Sequence, residues 1–172
     1  MENIDLAKWG KIQIKSIFEA SNTGNILARD VEDGSGETPY VTASGYNNGV
    51  MAHIDASKYD IISGHCILVG GKTFTLTYQK DDFVSNDSHN FELHLIDNTH
   101  SALVYLFLIT SIRASLSEKY KWADAVTKEK LLDEYINLPL KSQDKPDWDY
   151  MEKYMQGVSE HVKSTVSLLS SI

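Results

Sequence analysis

The chain has 172 residues, of which 42% are hydrophobic and 23% charged, with 24 acidic and 16 basic side chains and a net charge of −8. That composition is ordinary for a soluble globular protein, and the length suffices for one domain with a core plus an appendage. The acidity argues against an autonomous nucleic-acid binder, because Lys and Arg that neutralise phosphates supply most non-specific affinity.

The imbalance is uneven: residues 1–100 carry 14 acidic and 7 basic side chains, and residues 101–172 carry 10 and 9. Residues 1–15 have scattered charges and no apolar run, so no secretory leader is expected. The longest apolar run, 102–109, is too short to span a bilayer. Cys66, the one cysteine, lies in an apolar string and reads as a buried small hydrophobe. Without a second cysteine there is no internal disulfide, and a reducing cytoplasm is the expected compartment. Asn86-Asp87-Ser88 fits a glycosylation triplet, but no secretory route is expected to expose it.

In chain order, residues 9–19 alternate through Ile12 and Ile14, then pass Ile17 and Phe18, as a short strand or a turn of helix would. Residues 21–25 (SNTGN) form a turn cluster, 26–31 a weak element, and 32–37 (EDGSGE) an exposed loop. Residues 39–44 (PYVTAS) read as a strand opening at a proline, where a strand tolerates one best. Residues 45–49 (GYNNG) turn, since Asn and Gly accept positive φ. The apolar segment 60–69, bounded by Gly70-Gly71, predicts a buried strand. Residues 72–79 alternate, with Phe74, Leu76 and Tyr78 on one face and Thr73, Thr75 and Thr77 on the other, so the two segments predict a hairpin. Residues 91–95 alternate again, and up to about residue 98 the chain is β-rich.

From His100 the pattern changes. Residues 102–122 are apolar nearly all round for two turns and amphipathic thereafter, which predicts a buried helix docking on the sheet. Residues 127–135 predict a second short helix, 136–140 an extended segment running into Pro139, and 141–145 a polar linker. The last segment is a rod. Trp148, Met151, Met155, Val158, Val162, Thr165, Leu169 and Ile172 recur at alternating steps of three and four, an a/d heptad seam interrupted by Thr165. Pro146 precedes it, Asp147 can cap it, and Asp149 suits the helix dipole. The seam predicts pairing with a second helix, with docking on its own domain as the alternative.

No motif assembles a catalytic site. Gly71-Lys72-Thr73 is similar to the end of a phosphate-binding loop, but position 66 holds Cys66 where a glycine is needed, and a strand follows. His89, His94 and His100, with Asp87 and Glu92, match no helical zinc spacing, and His89 and His94 fall on opposite faces of a strand. They read as solvent-facing strand positions and a loop histidine. Cys66 and His65 are adjacent on a strand and cannot pair, and no Gly-x-Ser-x-Gly elbow is present. No cofactor is expected. The loop 44–49 is different: Ser44, Tyr46, Asn47 and Asn48 concentrate hydrogen-bonding groups that suit base edges and phosphates, although turn chemistry alone also explains Asn-Asn-Gly. Lys72, Thr73 and Thr75 add a second strip.

The segments PYVTASGYNNGV (39–50), DIISGHCILVGGKTFTLTYQKDDFVSNDSHNFEL (60–93), SEKYKWADAVTKEKLLDEYINLPL (117–140) and KPDWDYMEKYM (145–155) follow one another in order over nearly the whole chain. Together they resemble a specificity (S) subunit of Type I restriction-modification enzymes and related systems. The resemblance implies an α+β fold, with residues 1–140 as a target recognition domain, β-rich to about 98 and helical over 100–135. It implies that 141–172 are a linker and a C-terminal coiled-coil spacer helix opened by Lys-Pro-Asp-Trp. Full-length S subunits resemble two such halves in tandem, so one half implies a homodimer paired through Trp148, Met151, Met155, Val158, Val162, Leu169 and Ile172. The implied role is non-catalytic DNA recognition, with a methyltransferase subunit and a restriction subunit as partners. By position, Ser44, Tyr46, Asn47 and Asn48 are the implied DNA contacts, then Lys72, Thr73 and Thr75, with Arg29 after them. A non-DNA module for protein or glycan on a dimerising stalk fits the acidity better, and a small hydrolase is a further alternative that lacks a nucleophile.

Overall fold

The computed structural model describes residues 6–87, 89–120 and 124–170. Its strands are β1 (Trp9–Gln13), β2 (Phe18–Asn22), β3 (Thr38–Val41), β4 (Val50–Ile54), β5 (Cys66–Gly70), β6 (Thr75–Gln79), β7 (Val84–Ser85), β8 (Asn90–Leu95), β9 (Tyr135–Ser142) and β10 (Lys145–Pro146). Its α-helices are α1 (Ala102–Leu116), α2 (Lys128–Leu132) and α3 (Trp148–Leu169).

Alternation decides the layers. In β8, Phe91, Leu93 and Leu95 point one way and Glu92 and His94 the other, so a single strand faces two different environments. It sits inside an antiparallel sheet of order β2-β8-β5-β6, with Ile67 opposite Leu93 and Leu68 opposite Glu92. The face bearing Ile67, Val69, Leu76, Phe91 and Leu93 packs under α1, whose Val104, Tyr105, Leu108 and Ile112 are buried. Behind the other face, Cys66 and Leu68 meet Val41, Ile62 and Phe83 next to a small sheet of order β4-β3-β7. A third sheet, β1-β9-β10, closes the opposite flank of α1, with Ile12 opposite Ile136. Burial of Cys66 pushes its thiol well above the ordinary range, so it is an unreactive apolar side chain.

The fold is mixed α and β, as the resemblance implies. Several local expectations differ in extent. Residues 9–19 form two strands separated by a 3-10 turn, Ile14–Ser16. The stretch 60–65 joins no strand beyond an Ile62–Phe83 bridge, because His65 adopts a left-handed φ of 56° that breaks the extended run. Lys72 and Thr73 belong to the hairpin turn, and Phe74, at φ 50°, packs its ring on Tyr120 instead of extending β6. β4 has no counterpart in the sequence reading. The predicted linker 141–145 instead continues β9 and turns back into β10. α1 ends at Leu116, and Trp122, the expected end of that helix, lies outside the described residues.

The largest difference concerns α3. Asp147 caps it by accepting the Tyr150 N–H at 3.0 Å. Its first turns then dock on the chain's own head. Met151 is fully buried in the main core, Trp148 stacks on His100 with ring centroids 4.5 Å apart, and Tyr154 meets Phe107 edge-on. Ser101 Oγ, which caps α1, also donates to Glu152 Oε2 at 2.5 Å, tying the two helices together. Met151 and Trp148 are thereby removed from the expected dimer seam, because one apolar stripe serves an intramolecular core as well as a partner helix. From Glu160 to Ser170 every residue is exposed, Val162 at 54%, Val166 at 59% and Leu169 at 66%. Ile172 lies outside the described residues.

Candidate nucleic-acid interface

β3 ends at Val41 and the chain turns through residues 42–49 before β4. Asn47, Asn48 and Gly49 take φ of 47°, 51° and 82° in succession, a left-handed run that Asn and Gly adopt at least cost. The turn is closed by Thr42 N–H to Gly49 O and Gly49 N–H to Tyr46 O, both 2.8 Å, and by Tyr46 N–H to Ser44 Oγ at 3.1 Å. At Gly49 a Cβ would come within 2.7 Å of Thr42 O, so no other residue fits there without displacing the backbone.

Each of the two asparagines spends one amide N–H within the protein. Asn47 Nδ2 donates to Val50 O at 2.9 Å, and Asn48 Nδ2 donates to Tyr78 O at 2.7 Å. Gln79 Nε2 returns a bond to Asn48 O at 3.0 Å. β6 is an edge strand, and its outward carbonyls at Leu76 and Tyr78 are taken by Arg113 Nη2 at 2.6 Å and by Asn48. That seals the edge against strand addition. What Asn47 and Asn48 retain for a ligand is one amide N–H and the carbonyl oxygen of each exposed side chain. Replacing Asn48 by glycine keeps the backbone permissive but removes the amide, and about 1 kcal/mol of stability loss is expected in urea denaturation. An unchanged unfolding midpoint would show that the Tyr78 bond is immaterial.

Tyr46 is the opposite case. Its side chain projects from the turn at 88% exposure, an unusual position for a large aromatic residue. Beside it, Thr73 Oγ1 donates to Ala43 O at 3.4 Å and sits 3.0 Å from Thr75 Oγ1. The β5–β6 turn thus lies against the 42–49 loop. Gly71 brings in further segments, since a Cβ there would run into His89 O and lie 2.8 Å from Val126 O. Lys72 on the same turn pairs with Asp87 at 3.2 Å, and His89 Nδ1 meets that carboxylate at 2.8 Å.

One end of the head therefore gathers Ser44, Tyr46, Asn47, Asn48, Lys72, Thr73 and Thr75, joining two groups that the sequence shows only separately. Arg29 stands apart. Its exposed side chain pairs with Asp30 at 3.8 Å, and its segment is held beneath β3, where Tyr40 Oη donates to Ile26 O at 2.8 Å. Asp87 and His89 were not among the expected site residues, and the contact that brings them in runs through Gly71, far from them in sequence.

The comparisons with known proteins bear on this arrangement. The family described as Type I restriction modification DNA specificity domain matches residues 7–166. A curated relative, the "Type II restriction enzyme BgcI specificity subunit S.BcgI" of Heyndrickxia coagulans, is 24% identical over 161 residues, 92% of this chain and 46% of the relative. Among solved structures, a Type I restriction-modification S subunit from M. genitalium superposes with a TM-score of 0.62 at 11% identity, covering 96% of this chain and 43% of that one. The HsdS subunit from Thermoanaerobacter tengcongensis gives a TM-score of 0.62 at 12% identity, with 91% and 39% covered. At such identities the structural likeness concerns the fold. The chain spans less than half the length of each of these proteins. Because the match takes in nearly all of its elements, from β1 into the exposed part of α3, the chain belongs to the Type I restriction modification DNA specificity domain family.

Proposed function

We propose that this chain is a DNA-reading half of a restriction-modification specificity subunit, and that its head grips one half-site with the 42–49 loop and the β5–β6 turn. The observation that carries this reading is the convergence of Tyr46, Ser44, Lys72, Thr73 and Thr75 at one end of the head in a chain of this family. Tyr46 offers a ring for stacking and a phenol for hydrogen bonding, the threonines offer hydroxyls, and Lys72 offers charge.

The exposed part of α3 supplies the second element. Val158, Val162, Val166 and Leu169 recur at steps of four, four and three, and from Val162 onward none of the described residues covers them. In this reading they pair with the same helix of a second copy. About twelve residues remain for that pairing, roughly 18 Å of helix at about 1.5 Å per residue, so the isolated dimer is weak. An apolar groove of about 490 Å³ lined by Trp9, Phe107, Tyr154 and Met155 adjoins the helix and widens the available surface. A two-fold dimer would read two half-sites in inverted orientation, at a separation set by the arms. The catalytic groups belong to a methyltransferase subunit, and in a complete complex a restriction subunit, which this chain recruits. Those partners also supply positive potential that a chain of net charge −8 lacks.

The test is to map methylated bases in cells carrying this chain and its methyltransferase. A bipartite inverted motif is expected, and Tyr46→Ala is expected to reduce its methylation at least tenfold at unchanged folding. A methylation pattern independent of this chain would sink the proposal. The acidity favours one second reading, a protein- or glycan-binding module on a dimerising stalk, and indifference to every DNA sequence in the methyltransferase's presence would support it.

A further inference from the structure

Asp87 is the hub of a small built cluster. Its Oδ1 accepts both the His89 backbone N–H and His89 Nδ1 at 2.8 Å, and its Oδ2 accepts Lys72 Nζ at 3.2 Å. The backbone carbonyl of Asp87 is itself held, by Thr23 Oγ1 at 3.2 Å and Asn90 N–H at 3.0 Å. Partial burial alone would raise the Asp87 carboxyl, but the bonds from His89 and Lys72 outweigh it and hold the group below the usual carboxylate range. An ionised carboxylate only accepts, so His89 Nδ1 carries a proton and the ring orientation is set. The remaining ring atom, Nε2, makes no hydrogen bond among the described residues, on a side chain 55% exposed.

We propose that His89 is a further DNA-contacting residue, whose ring Asp87 orients so that Nε2 meets a backbone phosphate with Lys72 alongside. The proposal rests on the DNA-reading role above and adds a residue and a proton to it. The cluster stands where such a contact is needed, since Gly71 carries the Lys72 turn against His89 while Thr73 carries the same turn against the Tyr46 loop. The charged groups facing the ring are Asp87 on its own turn and Lys72 on the β5–β6 turn. They cancel, so the cluster is neutral with neutral imidazole and carries one positive charge with imidazolium. Neutral Nε2 is an acceptor and is repelled by a phosphate oxygen; protonated Nε2 is a donor and is attracted. Phosphate contact and proton uptake therefore favour each other, and DNA affinity gains a component that strengthens as pH falls.

The experiment uses the chain assembled with its methyltransferase and a fluorescent duplex bearing the mapped motif, titrated at about pH 8 and about pH 6. Wild type is expected to bind roughly three- to tenfold more tightly at the lower pH through this site, inside the roughly hundredfold ceiling that one linked proton allows over two pH units. His89→Gln is expected to lose that increment, to weaken binding uniformly over all sequences, and to leave the methylated motif unchanged. Lys72→Met is expected to lower the salt slope by about one. Thermal melting shows that the variants fold. A His89→Gln complex with wild-type pH dependence overturns the proposal, and so does a change of base preference at one motif position, which would make His89 a base reader. If the wild-type complex methylates no motif dependent on this chain, the DNA-reading role itself has failed.

Discussion

Replacing Met151 by alanine is expected to lower the folded chain's stability by about 2–5 kcal/mol, while Val162→Ala, about three turns further along the same helix, changes it by less than about 0.5 kcal/mol. Both are apolar residues of one heptad pattern, but Met151 is fully buried in the head and Val162 is 54% exposed. Truncating Met151 removes transfer free energy and leaves a cavity in the main core, where α3 docks on α1; truncating Val162 does neither in a single copy. Urea denaturation at submicromolar concentration, where a weak dimer has dissociated, measures the two effects. Equal and small costs would mean that α3 is not anchored on the head. Val162→Glu with Leu169→Glu completes the comparison: folding is expected to be spared and self-association lost in sedimentation, whereas persistence of a dimer would place its interface elsewhere.

Glu92→Gln is expected to stabilise the protein at alkaline pH, by up to about 3 kcal/mol, with the advantage vanishing in acid. Glu92 lies on the β8 face that bears neither Phe91 nor Leu93, opposite Leu68 of β5, where burial pushes its carboxyl up to about 7, and its Oε2 is buried without a hydrogen-bond partner among the described residues. His94 does not rescue it. The nearest approach, Nε2 to Oε1, is 3.8 Å, and burial first, then His65, lower the His94 pKa, which disfavours an imidazolium beside the carboxylate. A raised carboxyl means the folded chain keeps a proton that the unfolded chain releases from about pH 4.5 upward. Stability is therefore lost as pH rises from that value through about 7, and the loss is complete above it. Glutamine has the shape without the charge. Melting curves of wild type and Glu92→Gln should separate at about pH 8 and converge at about pH 4.5. A variant no more stable than wild type at the higher pH would show that water or motion already solvates the carboxylate.

The two predictions also mark where sequence reasoning reached its limit. Glu92 looks like an ordinary solvent-facing strand position, because alternation tells which residues share a face but not what covers that face. The small β4-β3-β7 sheet lies over the Cys66 and Leu68 side, and β4 carries no period-two signal strong enough to announce it. Likewise, the α3 stripe was legible, but its division into a docked half and a free half was not, since an apolar spacing of three and four is the same for both fates.

For the candidate interface the position is similar. Local chemistry in the sequence marked the 44–49 turn: Asn-Asn-Gly demands left-handed backbone, and the structure delivers three such residues in a row. The sequence could not tell that one amide N–H of each asparagine is tied to a Val50 or Tyr78 carbonyl, while Tyr46 projects free. Nor could it set His89 beside Lys72, because the carboxylate they share, Asp87, sits on the His89 turn and is far along the chain from Lys72.

By itself, then, the sequence determined the local periods, the turns, the helix caps and the ordered motifs that place this chain in its family, all properties of residues near one another along the chain. Tertiary structure alone decided which face of each strand is covered, how much of the terminal helix is spent on the head, and which loops meet at one end of it. Those depend on contacts between distant residues, whose free energies balance only when every layer has closed at once.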